Sequence, residues 1–464
     1  MDNPYIFREY DIRGNAEKDF ANDSAYRLGR ALGTYFADRG SQAIALGRDC
    51  RLSSPRLHHQ LSRGLIDCGC TIIDLSIVPT PLLYYSLFNL SVDGGVMITG
   101  SHNPPEENGF KICLGKSTIF GNEIQVIRTI MERENFAQGA GQMDFANIKA
   151  PYLNAVKQFI VMGDHRRKIV IDAGNGTAGL VAGTLYRSLG VEVVELFSEP
   201  DGSFPHHHPD PTVPQNLDEL IQAVKAEKAD LGIAFDGDAD RIGVVDENGS
   251  IIWGDQLMII FSRAILKQIP GAVFVAEVKC SQTLFDDIEQ HGGTAIMWKV
   301  GHSLMKSKLR ETGAALAGEM SGHIFFANRY YGYDDALYAG ARLLEILSHT
   351  DKKLSALLAD VPHMVATPEI RIECSDRIKF QVVEELAAHF KRHYRVIDVD
   401  GARILFDKGW GLIRASNTQP VLVLRFEARD QNALDAIQSL VTAKVRAAIK
   451  TGEEGGHCGR SDTQ

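Results

Sequence analysis

Apolar runs of strand length recur along the chain, each followed by a polar or Gly-containing loop, a helical stretch, a glycine and a second apolar run. Three stretches carry the whole pattern. In the first, Ala43-Ile44-Ala45-Leu46 leads through Gly47-Arg48-Asp49 into a helix expected over residues 55–67, then Gly69 and a strand over 71–75. In the second, a strand over 168–171 leads through Asp172-Ala173-Gly174-Asn175-Gly176 into a helix ending at Leu189, then Gly190 and a strand over 191–196. The third runs from a strand over 272–276 through Glu277-Val278-Lys279 and a helix ending at His291 to a strand over 294–298. Apolar strands joined by crossover helices make mostly parallel sheets with helices on both faces, so the chain is expected to hold three related α/β domains.

After about Pro362 the pattern changes to short strands close together, over 396–399, 403–406, 412–414 and 421–427, followed by a helix from Gln431. That predicts a fourth, α+β domain with an antiparallel sheet. The expected boundaries are 1–147, 148–250, 251–362 and 363–464, and the Gly-rich, polar stretch from Thr451 to Gln464 is expected to fray.

Composition narrows the class. With 464 residues, 44% hydrophobic and 23% charged, the chain reads as an ordinary multidomain globular protein. The net charge of −10 has the wrong sign for a general nucleic-acid binder, so an anionic ligand must find local cations. Seven scattered cysteines form no CxxC pair, which fits a reducing cytoplasm. Neither a signal peptide nor a membrane-length apolar run is present, and a cytoplasmic location with no membrane partner is expected.

Four loops carry residues suited to chemistry. Thr99-Gly100-Ser101-His102-Asn103-Pro104-Pro105 follows an apolar strand, and its glycine and prolines are expected to hold Ser101 on a stiff, exposed loop, as a nucleophile requires. Neighbouring side chains point apart in extended chain, so a protease-like pairing of Ser101 with His102 is not expected. In Asp236-Gly237-Asp238-Ala239-Asp240-Arg241, alternate carboxylates between two apolar strands suit Mg²⁺ or Ca²⁺. An EF-hand fails there, because Arg241 stands where that loop needs glycine. In Gly318-Glu319-Met320-Ser321-Gly322-His323, two glycines bring Glu319, Ser321 and His323 close to a ligand, as in reading sugar hydroxyls or in a plain hairpin turn. Finally, Arg414-Ala415-Ser416-Asn417-Thr418-Gln419-Pro420 has the composition of a phosphate clamp, though a bare turn shares it.

Together the loops describe phosphoryl transfer on a sugar. Tyr10 and Arg13, with Arg8, near the start, and Lys111, Lys279 and His302 after strand-like runs, add charge neutralisation and acid-base groups. The tract His206-His207-His208 sits among prolines and reads as an irregular loop.

These residues resemble the α-D-phosphohexomutase family, and within it the bacterial phosphomannomutase/phosphoglucomutase group. Phe7-Arg8-Glu9-Tyr10-Asp11-Ile12-Arg13-Gly14 is similar to the family's opening motif, and the four loops follow in the family's order. The resemblance implies a four-domain, heart-shaped monomer in which each domain supplies one loop. Ser101 would carry a phosphoryl group, and Asp236, Asp238 and Asp240 would hold Mg²⁺ with it. Glu319 and Ser321 would read sugar hydroxyls, and Arg414, Ser416, Asn417 and Thr418 would grip the substrate's non-reacting phosphate, on a terminal domain that is expected to close on its ligand. Met320 is similar to the mannose/glucose group, whereas phosphoglucosamine mutases usually carry Gln there. Gly100 departs from the Ala of many relatives.

The implied reaction converts hexose 1-phosphate to hexose 6-phosphate through a bound hexose 1,6-bisphosphate, with small-molecule sugar phosphates as the partners. Arg241 would offset charge, and either His302 or Lys111 would take the attacking hydroxyl's proton. Three rival readings remain at this point: a phosphoglucosamine mutase, an aspartyl-phosphate hydrolase built on Asp236 and Asp238, and a sugar-phosphate sensor without turnover.

Overall fold

The computed structural model describes residues 3–416 and 419–457, with the backbone alone at 454–457. Four sheets follow one another along the chain. In the first, the strands lie in the order Ile12–Asn15, Glu107–Leu114, Gly94–Ile98, Ala43–Arg48, Thr71–Ile77 and Gln142–Phe145, with a short strand at Ser117–Thr118 beside the second. Ala43–Arg48 pairs in parallel with both Thr71–Ile77 and Gly94–Ile98, as the crossover pattern requires. The helix Ser24–Ala37 buries Ala25, Leu28, Leu32, Tyr35 and Phe36 at helical spacing. It lies against the helix Ser54–Ile66 at Gly29 and Gly64, where an added Cβ would come within 2.4 Å of a backbone oxygen of the other helix.

The second sheet runs Ile251–Ile252, Ile242–Asp246, Leu231–Phe235, Lys168–Asp172, Glu192–Leu196, and the third Thr294–Trp298, Val273–Glu277, Leu316–Gly318, Ile324–Phe326. The fourth is antiparallel throughout, in the order Val365–Ala366, Val421–Ala428, Gly409–Ala415, Ala402–Phe406, Arg395–Ile397, with Ile370–Glu373 also on Val421–Ala428. The helices Lys379–Lys391 and Gln431–His457 share a core with it that includes Leu386, Phe390, Ile413, Leu424, Phe426 and Val441.

Each loop singled out in the sequence is the turn of an antiparallel strand pair, one in each sheet. The pairs are Gly94–Ile98 with Glu107–Leu114, Leu231–Phe235 with Ile242–Asp246, Leu316–Gly318 with Ile324–Phe326, and Gly409–Ala415 with Val421–Ala428. The first three sheets are therefore mixed, with the chemistry on their antiparallel part. One expectation is corrected in part: Thr451 to His457 continue the last helix, with Gly452 facing Ile378 and Val382, while residues 458–464 of the expected frayed stretch lie outside the described residues.

The residues group into two compact units. One holds the chain up to Ala276 with Asp287–Ile296 and Gly301–Ala359, the other Glu277–Asp286, Met297–Val300 and the chain from Asp360. Among the described residues, six cysteines are free, and no helix is long and apolar enough to cross a membrane.

Candidate active site

The first unit gathers most of the candidate residues. Ser101 is 1% exposed, which corrects the expected exposed loop, and its φ of +49° lies in the left-handed region. Ala239, in the acidic loop, has φ +61°. Non-glycine residues held there carry backbone strain that the surroundings must offset, and such strain gathers at functional sites. The turn at Ser101 also overturns the expectation drawn from extended chain. Ser101 Oγ lies 3.1 Å from His102 Nδ1, and it donates a 2.7 Å hydrogen bond to Asp236 Oδ2.

Two residues that sequence reading missed hold this loop. Asp49 accepts from the Gly100 N–H at 3.0 Å, and the fully buried Arg51 guanidinium donates to the carbonyls of Ser101, Asn103, Pro104 and Glu107 at 2.5–2.9 Å. Arg51 occupies the space beside Gly100, where a Cβ would sit 2.4 Å from its Nε. Arg13, anchored on Asp11 at 2.5 Å, donates to Gly100 O at 3.2 Å and Asn103 Oδ1 at 2.9 Å, so the opening motif touches the Ser101 loop. The ring of Tyr10 packs on Gly301, next to His302.

Asp236, Asp238 and Asp240 are all fully buried, with ligand atoms within 4.8 Å of one another. Asp236 Oδ1 accepts the Asp240 and Arg241 N–H groups at 3.0 and 3.1 Å, and Asp238 Oδ2 accepts from Thr80 Oγ1 at 2.5 Å. Lys111 Nζ donates to Asp238 Oδ2 at 2.8 Å and also to Asp240 Oδ2. Burial disfavours its ammonium, but the two carboxylates outweigh that and hold its pKa above the ordinary lysine value. Burial likewise opposes the charge on Asp238, yet Lys111 keeps it below the usual carboxylate range, while burial and then the charges of Asp238 and Asp240 push Asp236 well above it. Three buried carboxylates face one ammonium, and Asp238 Oδ1 and Asp240 Oδ1 have no hydrogen-bond partner among the described residues. This donor set fits a hard divalent cation bound through oxygen.

A second cluster adjoins the first through Asp240. His323 Nδ1 lies 3.5 Å from Asp240 Oδ1 and 3.2 Å from Asp334 Oδ2, and its Nε2 accepts from Arg241 Nε at 3.0 Å. Asp334 also meets Lys306 at 2.9 Å and His302 at 3.7 Å. Neither Asp334 nor Lys306 stood out in the sequence. The acidic pair Asp334-Asp335 ahead of the helix Ala336–Ser348 was the available signal, with Asp335 capping that helix through the Tyr338 N–H. In the third loop, Ser321 Oγ donates to Glu319 Oε2 at 3.1 Å and Glu319 Oε1 accepts the Gly301 N–H at 3.0 Å, so loop and helix start are tied together.

The second unit brings Lys279 together with Arg414. Lys279 Nζ donates to Glu369 Oε1 at 2.8 Å, and Arg414 Nε to Asp400 Oδ2 at 3.2 Å. Lys279, ahead of burial, holds Glu369 down at about 2. Ser416 Oγ accepts the Gln419 N–H at 3.1 Å, whereas Asn417 and Thr418 lie outside the described residues. The histidine tract is no metal cluster: His206 pairs with Asn175, His207 with Asp172, and His208 with the carbonyl of His102.

Four family models match the chain. They are described as phosphoglucomutase/phosphomannomutase, alpha/beta/alpha domain I at residues 4–138, domain II at 150–249, domain III at 253–365, and the C-terminal domain at 369–444. The chain is 46% identical over 443 residues to a phosphomannomutase/phosphoglucomutase of Pseudomonas aeruginosa, covering 95% of this chain and 96% of that protein. It is 47% identical over 447 residues to a phosphoglucomutase of Neisseria meningitidis serogroup A, covering 95% and 97%. The crystal structure of a phosphoglucomutase/phosphomannomutase family protein from Burkholderia thailandensis superposes with a TM-score of 0.91 at 42% identity, over 98% of this chain and 99% of that one. Matched in all four domains and aligned to these relatives along nearly the whole length of both partners, the chain belongs to the α-D-phosphohexomutase family, the phosphoglucomutases and phosphomannomutases.

Proposed function

We propose that this protein interconverts hexose 1-phosphate and hexose 6-phosphate, with mannose and glucose both accepted, through phosphorylated Ser101 and a bound hexose 1,6-bisphosphate. The observation that carries the reading is the Ser101 hydroxyl, buried in a strained turn and 2.7 Å from an acidic triad. In the first half-reaction the bond from Oγ to phosphorus breaks as one from phosphorus to a sugar oxygen forms; in the second the other sugar oxygen–phosphorus bond breaks as the bond to Oγ forms again. In the first the sugar hydroxyl's proton passes, overall, to Ser101 Oγ, where His102 Nδ1 at 3.1 Å is placed to hand it over, and in the second it returns to the sugar oxygen left behind. Lys111, held as an ammonium by two carboxylates, serves charge balance, and Arg13 and Arg241 add positive charge to the same region. Asp236, Asp238 and Asp240 would hold Mg²⁺, which would neutralise charge on the Ser101 phosphate.

Glu319 and Ser321 are assigned to neighbouring sugar hydroxyls, and Lys279, Arg414 and Ser416, with Asn417 and Thr418, to the phosphate that is not reacting. Purified enzyme given Mg²⁺ and a trace of the bisphosphate should convert glucose 1-phosphate and mannose 1-phosphate to the 6-phosphates. A strong preference for N-acetylglucosamine phosphate, or no product at all, would overturn the substrate assignment. Phosphorylated protein that loses its phosphate to hydroxylamine would point to an aspartyl phosphate instead.

Arg414→Ala should raise KM by on the order of tenfold and lower kcat, because a charged hydrogen-bonding group to phosphate is lost. The purified variant should still carry phosphate on Ser101, since Arg414 and Ser101 sit in different compact units. Unchanged kinetics would remove Arg414 from the substrate site.

A further inference from the structure

We propose that Lys306 is a positioning residue that fixes His302 as the neutral tautomer protonated at Nε2, so that this histidine meets the sugar phosphate as a hydrogen-bond donor. The inference rests on the phosphohexomutase reading for its ligand, and on geometry for the rest. Lys306 lies one turn after His302 on the helix His302–Thr312 and is 3% exposed. Its Nζ is 2.9 Å from Asp334 Oδ1, 3.3 Å from His302 Nδ1 and 4.2 Å from the centre of the Tyr84 ring. Carboxylate, aromatic face and imidazole together surround the amino group with electron-rich partners, the setting of an ammonium. Burial opposes the charge on Asp334, yet Lys306 holds its carboxyl well below the usual range, which keeps the ion pair intact.

An ammonium donates and cannot accept. Its approach to Nδ1 therefore requires a lone pair there, and a neutral imidazole with a lone pair on Nδ1 carries its proton on Nε2. Burial, followed by the charge of Lys306, holds His302 well below the ordinary histidine value, so the ring is neutral near pH 7. Nε2 is buried and has no hydrogen-bond partner among the described residues. The remaining charged or ring groups that act on His302 are Asp334, with Oδ2 at 3.7 Å, Lys111, whose positive charge adds to that of Lys306 in disfavouring a charged ring, His323, stacked at 5.8 Å between centroids, and Tyr10, edge-on at 6.3 Å. Without Lys306, Asp334 Oδ2 becomes the partner of Nδ1, and a carboxylate there demands a proton on Nδ1. The tautomer then reverses, and Nε2 turns from donor to acceptor.

The test uses full-length enzyme with ring-¹⁵N histidine, read by two-bond ¹H–¹⁵N correlation, with the His302 signals identified by their absence in His302→Gln. Wild type should show Nε2 protonated and Nδ1 bare from pH 6 to 8. Lys306→Met should move the proton to Nδ1 and lower kcat on the order of 10²-fold with KM nearly unchanged. Lys306→Arg, which keeps a cationic donor, should restore the Nε2 proton and part of the rate. A wild-type ring protonated at Nδ1, or at both nitrogens, overturns the proposal, and that spectrum decides even if Lys306→Met does not fold. A folded Lys306→Met that keeps the wild-type tautomer overturns it too, whatever its rate. The tautomer is read without any turnover, so failure of the mutase assignment and failure of this proposal give different results.

Discussion

Ser101→Ala is expected to yield a folded protein whose mutase rate is reduced by at least ~10³-fold. Loss of the oxygen removes the only atom at position 101 able to carry a phosphoryl group, so no arrangement of the other loops can compensate. The structural cost is small. Alanine keeps the Cβ, the turn is held from behind by Arg51 and Asp49, and Asp236 retains two backbone donors on its other oxygen. Two hydrogen bonds are lost, to Asp236 Oδ2 and His102 Nδ1, each worth on the order of 1 kcal/mol. Intact mass should show one phosphoryl group on the wild type and none on the variant, with near-equal circular dichroism. A folded Ser101→Ala enzyme with near-normal turnover would reject the phosphoserine role.

Mg²⁺ should both activate and stabilise the protein, and Asp238→Asn should abolish both effects together. Three buried carboxylates repel one another, and Lys111 offsets only part of that charge. A divalent cation that binds only the folded state adds about 2.7 kcal/mol at a hundredfold excess over its Kd, visible as a rise in Tm. Chelation should reverse the rise and stop turnover, and Mg²⁺ should restore both. In Asp238→Asn the Mg²⁺-dependent rise should vanish and kcat should fall ~10²-fold or more. An unchanged Tm response in that variant would exclude Asp238 as a ligand.

Much of this was legible in the chain because strand ends and loop chemistry are local properties. The apolar run 231–235 followed by Asp236-Gly237-Asp238 announces a carboxylate cluster at a strand terminus, and the strand is there as Leu231–Phe235. Pairing direction was legible too, though the sequence reading did not use it: the connection from Asp236 to Arg241 is too short for the crossover that a parallel pair needs, so the runs on either side can pair only antiparallel, as they do. The supporting residues were hidden for a different reason. Lys306 on a helix and Arg51 after Cys50 belong to none of the four loops and were passed over, yet each is at most 3% exposed and spent on an internal partner. The Gly-rich end misled because glycine lowers intrinsic helicity, while the contacts of Gly452 with the neighbouring helix extend the helix regardless.

The contact between Arg51 and Gly100 makes the serine loop an inherited pair of positions and not one interchangeable segment. A methyl group at position 100 has no room here, because it would lie 2.4 Å from Arg51 Nε and 2.8 Å from the Glu107 carbonyl oxygen. Shrinking Arg51 to admit it would strip the donors from four loop carbonyls. Neither substitution is expected to be neutral alone, so a loop-grafting designer has to change both at once, because Gly100 is coupled to Arg51, far earlier in the chain.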